Sequence, residues 1–138
     1  MTWRKLRVKF SSTDTSILVL NSYPEMRTAL RVALEGAGYL VTTAGDLGEA
    51  VNQLLKIRPH LLVIAPYINN MPGHIAADYL RTRHPGLPVL VVAGFMDDDR
   101  VRVQNSIRDF HTFPAPFSID ELLTKVKSVL EYESERAA

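Results

Sequence analysis

Asp97, Asp98 and Asp99 are the longest run of consecutive carboxylates in the chain, and His60, His74, His84 and His111 are its histidines. Three adjacent carboxylates can hold a divalent cation. They also suit the first turn of a helix, where negative charge meets the positive end of the backbone dipole. The helix turn is the preferred reading and a cation site the alternative. The histidines stand singly, without an i,i+4 pair, whereas zinc needs three or four converging ligands. Surface or loop roles follow for them, and no metal site is expected. There is no cysteine, which removes disulfides, thiolate catalysis and cysteine metal sites. "NSYPEMR" (21–27) contains no glycine, so a phosphate-cradling loop is missing there, and no Gly-x-Ser-x-Gly elbow occurs. Ser22 is a nucleophile on paper, but its spacing to Glu25 is that of a helix capping box.

One further place for chemistry is the carboxyl end of a buried strand. "LLVIAPYINNMPG" (61–73) begins as an uninterrupted apolar run, the mark of a strand covered on both faces, and Ala65 and Pro66 end it. Asn69, Asn70, Pro72 and Gly73 are loop residues. The strand end thus carries a methyl group, Ala65, where a reactive side chain would be useful.

The elements around it alternate. "ILVL" (17–20) predicts a strand, followed by a helix that Ser22 and Glu25 cap, Pro24 opens and Gly38 stops. "YLVTTA" (39–44) is β-rich. Asp46 with Glu49 caps a second helix whose Ala50, Val51, Leu54 and Leu55 share a face. After the strand at 61–65, a helix near His74–Arg83 should turn Ile75, Ala76, Tyr79 and Leu80 inward. "PVLVVAG" (88–94) is another buried strand. A fourth helix with a poor apolar face is expected over "MDDDRVRVQNSIRDF", then a short strand near Thr112–Phe113. Ser118 and Glu121 cap a last helix whose Ile119, Leu122, Leu123, Val126, Val129 and Leu130 recur at helical spacing. Strand–helix units in this order mean a parallel sheet with right-handed crossovers and helices on both faces.

The 138 residues suffice for one domain, and 46% hydrophobic with 22% charged residues is ordinary globular composition. A net charge of +1 argues against nucleic-acid binding by bulk electrostatics. No apolar run approaches membrane-spanning length and "MTWRKLRVKF" lacks a signal peptide's apolar stretch, so a soluble cytoplasmic protein with no membrane partner is expected. The boundaries fall as a basic N-terminal arm (1–15), a folded domain (16–132) and an acidic tail (133–138). In the arm, "LRVKF" alternates apolar and basic residues, which suits an added edge strand, while a free tail is the other reading.

This pattern resembles the receiver domain of bacterial response regulators, the flavodoxin-like (βα)5 α/β fold of the chemotaxis regulator: a three-layer sandwich around a five-stranded parallel sheet. "ILVLNSYPEMR" is similar to the family's opening strand and Pro-Glu helix start. "EGAGYLVTTAGDLGEAVNQLLKIRPHLLVIA" is similar to its second βα unit and third strand, "LPVLVVAG" to its fourth strand, and "APFSIDELLTKV" to its Lys-Pro-Phe turn and fifth helix. The resemblance covers about Ser16 to Tyr132.

The resemblance implies a site made of an acid pair, a phospho-acceptor Asp, a Thr or Ser, and a Lys. These positions fall on Asn21 and Ser22, Ala65, Ala93 and Ala115, and the family's switch aromatic falls on Thr112. In a register shifted by the "MPG" at 71–73, the acceptor slot would hold Ile68, again not a carboxylate. The expectation is a degenerate pseudo-receiver: not an enzyme, without cofactor, acting as a phosphorylation-independent interaction module of two-component phosphorelay signalling. Its partner would be a histidine kinase, another regulator or an effector, with a homodimer as a further possibility. The family's partner face corresponds to Arg100, Arg102, Arg108, Phe110, Phe113, Lys125 and Lys127, and for most of the charges among them an ordinary solvated surface is the preferred reading. The alternatives are a small-molecule-binding or enzymatic module on the same fold, or the receiver fragment of a longer regulator. The resemblance also implies a cis Ala115–Pro116 bond.

Overall fold

The computed structural model describes residues 14–93, 111–113 and 118–137. The arm, the expected fourth helix with Asp97–Asp99, Arg100, Arg102, Arg108 and Phe110, and the turn holding Ala115 and Pro116 lie outside the described residues.

The elements are β1 (Ser16–Leu20), α1 (Pro24–Gly36), β2 (Leu40–Ala44), α2 (Leu47–Leu54), β3 (Leu61–Ile64), β4 (Tyr67–Ile68), β5 (Met71–Pro72), α3 (Gly73–Arg83), β6 (Val89–Val92), β7 (His111–Phe113) and α4 (Ile119–Ala137). The main sheet has five strands in the order β2-β1-β3-β6-β7. Every pairing in it is parallel. The alternating pattern calls for the parallel sheet, and the strand order is the flavodoxin-like one that the resemblance implies.

Strand pleating sorts the apolar runs onto two faces. Leu18, Leu20, Leu62, Ile64, Val89 and Val91 meet Ala50 of α2 and Ala76, Ala77 and Leu80 of α3. Ile17, Val19, Leu61, Val63, Leu90 and Val92 meet Leu30 and Leu34 of α1 and Leu122, Val126, Val129 and Leu130 of α4. The sheet is therefore the middle of three layers, which explains why its strands read as continuous apolar runs.

The expected helix ends hold in three places. Glu49 N–H donates to Asp46 Oδ1 at 2.8 Å. Ser118 and Glu121 cap reciprocally, Glu121 N–H to Ser118 Oγ at 3.0 Å and Ser118 N–H to Glu121 Oε1 at 2.7 Å. Past α1, Gly38 takes φ +98°. Its N–H donates to Glu35 O at 2.9 Å and that of Tyr39 to Leu34 O at 3.2 Å, the bond pair of a left-handed C-terminal stop.

Four expectations are corrected. Ser22 does not cap α1: the N-cap position is Tyr23, no side chain caps it, and Pro24 opens the helix. Asn21 Oδ1 accepts from Tyr23 N–H at 2.9 Å, and this turn moves the helix start one residue beyond Ser22. On α3, Ile75 and Tyr79 are 47% and 42% exposed rather than inward. The buried side of α3 is Gly73, Ala76, Ala77 and Leu80, and the first three are small enough to let the helix approach the sheet closely. The Tyr79 ring instead lies beneath the Arg83 guanidinium, 4.5 Å away. Leu55 falls at the C-cap of α2, and Leu55 and Ile119 are exposed. Finally, residues 67–72, expected as loop, form an antiparallel hairpin pairing Tyr67 with Pro72 and Ile68 with Met71.

Candidate functional site

In an open parallel sheet the natural binding place is the crevice outside the carboxyl ends of the strands where the winding reverses. Here β1 lies between β2 and β3, so the reversal is at β1 and β3. Asn21 and Ser22 follow β1, and Ala65 follows β3, its N–H donating to Leu20 O at 3.2 Å. Ala93 follows β6, its N–H donating to Phe113 O at 3.1 Å. Asn21, Ala65 and Ala93 thus crown three neighbouring strands, all buried, at 3%, 5% and 6% exposure. Thr112 sits one strand further out on β7, paired with Val91.

The backbone beyond Ala65 is held by Gly73. Its N–H donates to Pro66 O at 2.5 Å. A Cβ there would run into the Ala65 carbonyl and stand 3.0 Å from the Pro66 oxygen, so only glycine lets α3 begin against this turn. Ile68, in β4, is buried in the core cluster on the α2–α3 face.

Among the described residues the crown carries methyl groups at 65 and 93 and neutral polar groups at 21 and 22. Asn21 N–H donates to Ala44 O at 3.1 Å. Its carbonyl accepts from Arg27 Nη1 at 2.7 Å. Ser22 Oγ accepts from Asn69 N–H at 3.3 Å. Two acids on the same edge serve α2: Asp46 caps it, and Glu49 Oε1 accepts from Gly45 N–H at 2.6 Å. A shallow, open groove beside them is lined by Asp46, Gly48, Ile68, Asn69, Asn70 and Met71. Sequence reasoning missed Arg27 and Asn69. Asn69 had a signal in the Asn-Asn turn dipeptide, whereas Arg27 had none, since its partner Asn21 is a backbone carbonyl.

The other singled-out residues are separate. His60 Nδ1 accepts from Ser16 N–H at 3.1 Å. His111 Nε2 lies 2.8 Å from Glu133 Oε2, and its ring meets Tyr132 edge-on at 5.4 Å. The ring nitrogens of His84 are buried without a hydrogen-bond partner. Among the described residues no group of three or more histidines and acids could hold a metal ion. Of the expected partner face, Phe113 and Lys125 line a shallow groove with Asp120, Glu121 and Thr124, and Lys127 is exposed. No helix among the described residues is long and apolar enough to cross a membrane.

The family model for the response regulator receiver domain matches residues 17–127. The chain belongs to that family. This receiver domain is 30% identical over 116 residues to the probable transcriptional regulatory protein TcrX of Mycobacterium tuberculosis, covering 83% of this chain and 49% of that protein. It is 28% identical over 120 residues to the DNA-binding transcriptional regulator NtrC of Escherichia coli, covering 87% of this chain and 26% of that one. The chain therefore spans about half or less of the length of these relatives. In three dimensions it is similar to a CheY-like receiver domain protein of Methanospirillum hungatei, with a TM-score of 0.73, 21% identity, and coverage of 88% of this chain and 98% of that one. At that identity the likeness speaks for the fold alone. Receiver domains are in general signalling modules that meet histidine kinases and effector domains.

Proposed function

We propose that this receiver domain signals through protein contact without forming an aspartyl phosphate. The observation that carries the reading is Ala65 at the end of β3, buried between Asn21 and Ala93 on the adjoining strand ends. A methyl group cannot attack phosphorus. The position of Gly73 against the Ala65–Pro66 backbone supports the ungapped register, and Ile68, inside the hairpin, offers no carboxylate either. The Mg²⁺ that the family implies does not fit the residues described. Mg²⁺ calls for carboxylates or phosphates, while Asn21 and Ser22 are neutral and their oxygens already accept hydrogen bonds. Phosphoryl transfer also depends on cations that neutralise developing charge, and in this register the lysine position is Ala115. The domain is read as no enzyme, binding a histidine kinase, another regulator or an effector, or a second copy of itself, with no nucleic acid.

Incubation with acetyl phosphate and millimolar Mg²⁺ tests this. The intact mass should stay unchanged. A gain of one phosphoryl group mapped to residues around this crevice would overturn the reading.

A second reading, the receiver part of a longer regulator, is supported by the relatives themselves, of which the matched segment is 49% in TcrX and 26% in NtrC.

A further inference from the structure

The hydrogen bonds at the crown of β1 bear on how the site is regulated. Asn21 is 3% exposed. Its N–H joins the end of β1 to Ala44 of β2, its carbonyl takes the Arg27 guanidinium, and its Oδ1 takes the Tyr23 N–H. Losing any one of these would leave a shielded polar group without its partner, which is costly. Gly45 leaves room for the guanidinium: a Cβ there would stand 3.0 Å from Arg27 Nη1. The next residue, Ser22, reaches across 47 positions of sequence to accept the Asn69 N–H. Asn69 has φ +55°, a left-handed conformation that asparagine tolerates. Its hairpin is fixed at the base by Gly73 against Pro66.

We propose that Asn21, Ser22, Arg27 and Asn69 form a strut without carboxylates that locks the loops after β1 and β3 in one arrangement without any ligand. The proposal rests on the phosphorylation-independent reading and adds the consequence for regulation. The amide of Asn21 supplies the acceptor that shapes the entry to α1 without bringing a negative charge that a cation must balance. The strut ties the ends of β1 and β2 and the hairpin after β3 together. A ligand shifts a conformational equilibrium only through differential affinity for its states. Loops already held by the chain's own bonds leave a cation or phosphoryl group no second arrangement to select.

Amide hydrogen exchange by NMR on the full chain tests the strut. With chelator present, the Tyr23 and Asn69 amides should be protected, and millimolar Mg²⁺ should leave their rates unchanged. Ser22→Ala should speed exchange at Asn69 about fivefold, the scale of one net hydrogen bond, and leave the Ala65 amide unchanged. Ser22→Thr, which keeps a hydroxyl acceptor, should restore protection. An Asn69 amide that exchanges like an unstructured peptide overturns the proposal. So does one indifferent to Ser22→Ala, or one that accelerates only in step with Ala65. Phosphorylation by acetyl phosphate would sink the functional reading even with Asn69 protected, whereas an unprotected Asn69 in a protein that takes no phosphoryl group sinks the strut alone.

Discussion

Tyr39 leaves α1 directly after Gly38, and its phenol is half-buried near the Glu131 carboxylate of α4. Burial, and then the negative charge of Glu131, raise its pKa above the ordinary 10.0. The folded chain thus holds this proton more tightly than the unfolded chain. The stability linked to Tyr39 is present in full below pH about 10 and is lost as pH rises through the folded value. Melts followed by circular dichroism should show a fall in midpoint above pH about 10 that Tyr39→Phe makes shallower, with equal midpoints near neutrality. Identical alkaline slopes in the two proteins would refute the assignment.

At the scale of the element, two similar sequence signals have different outcomes. Ser118-x-x-Glu121 becomes a reciprocal cap at α4, whereas Ser22-x-x-Glu25 does not cap α1. The difference lies one residue upstream: Asn21 turns the chain through Tyr23 before the helix starts, and Ser22 is left pointing at the hairpin. Ser118→Ala should cost about 1 kcal/mol, read as a lower urea midpoint with unchanged slope. A loss under a few tenths would show that burial of Leu122, Val126, Val129 and Leu130 alone places the helix. α4 itself runs on to Ala137, through the segment that sequence reasoning set apart as an acidic tail.

For the whole molecule, the sheet and its two helical layers present a receiver fold whose strand ends carry methyl groups at 65 and 93 and internally bonded, uncharged side chains at 21 and 22. A cation that bound only the native state would raise thermal stability with concentration. Titration with millimolar Mg²⁺ should leave the melting midpoint unchanged. A saturable rise would move attention to Asp97–Asp99, the one acidic cluster that sequence reasoning raised as a cation site. That outcome would revive metal binding by a different set of ligands.

The sequence by itself determined the alternation of strands and helices, the doubly covered sheet, the helix stop at Gly38, the helix caps at Asp46 and Ser118, and the methyl group at the end of β3. Each of these is local: apolar runs, caps and turn residues act over a few neighbours. It also carried the family, because the motifs keep their order and spacing along the chain. Only the tertiary structure decided which side of α3 is buried, since Ile75 and Tyr79 share a helical periodicity with Ala76 and Leu80, and close approach to the sheet selects the small residues. Only the tertiary structure brought Ser22 to Asn69 and Arg27 to the Asn21 carbonyl. Contact between residues 47 apart, and a side chain bonded to a backbone oxygen, leave no periodic trace. The first exists because parallel β1 and β3 set their carboxyl ends side by side, and the second because α1 starts directly beyond the end of β1.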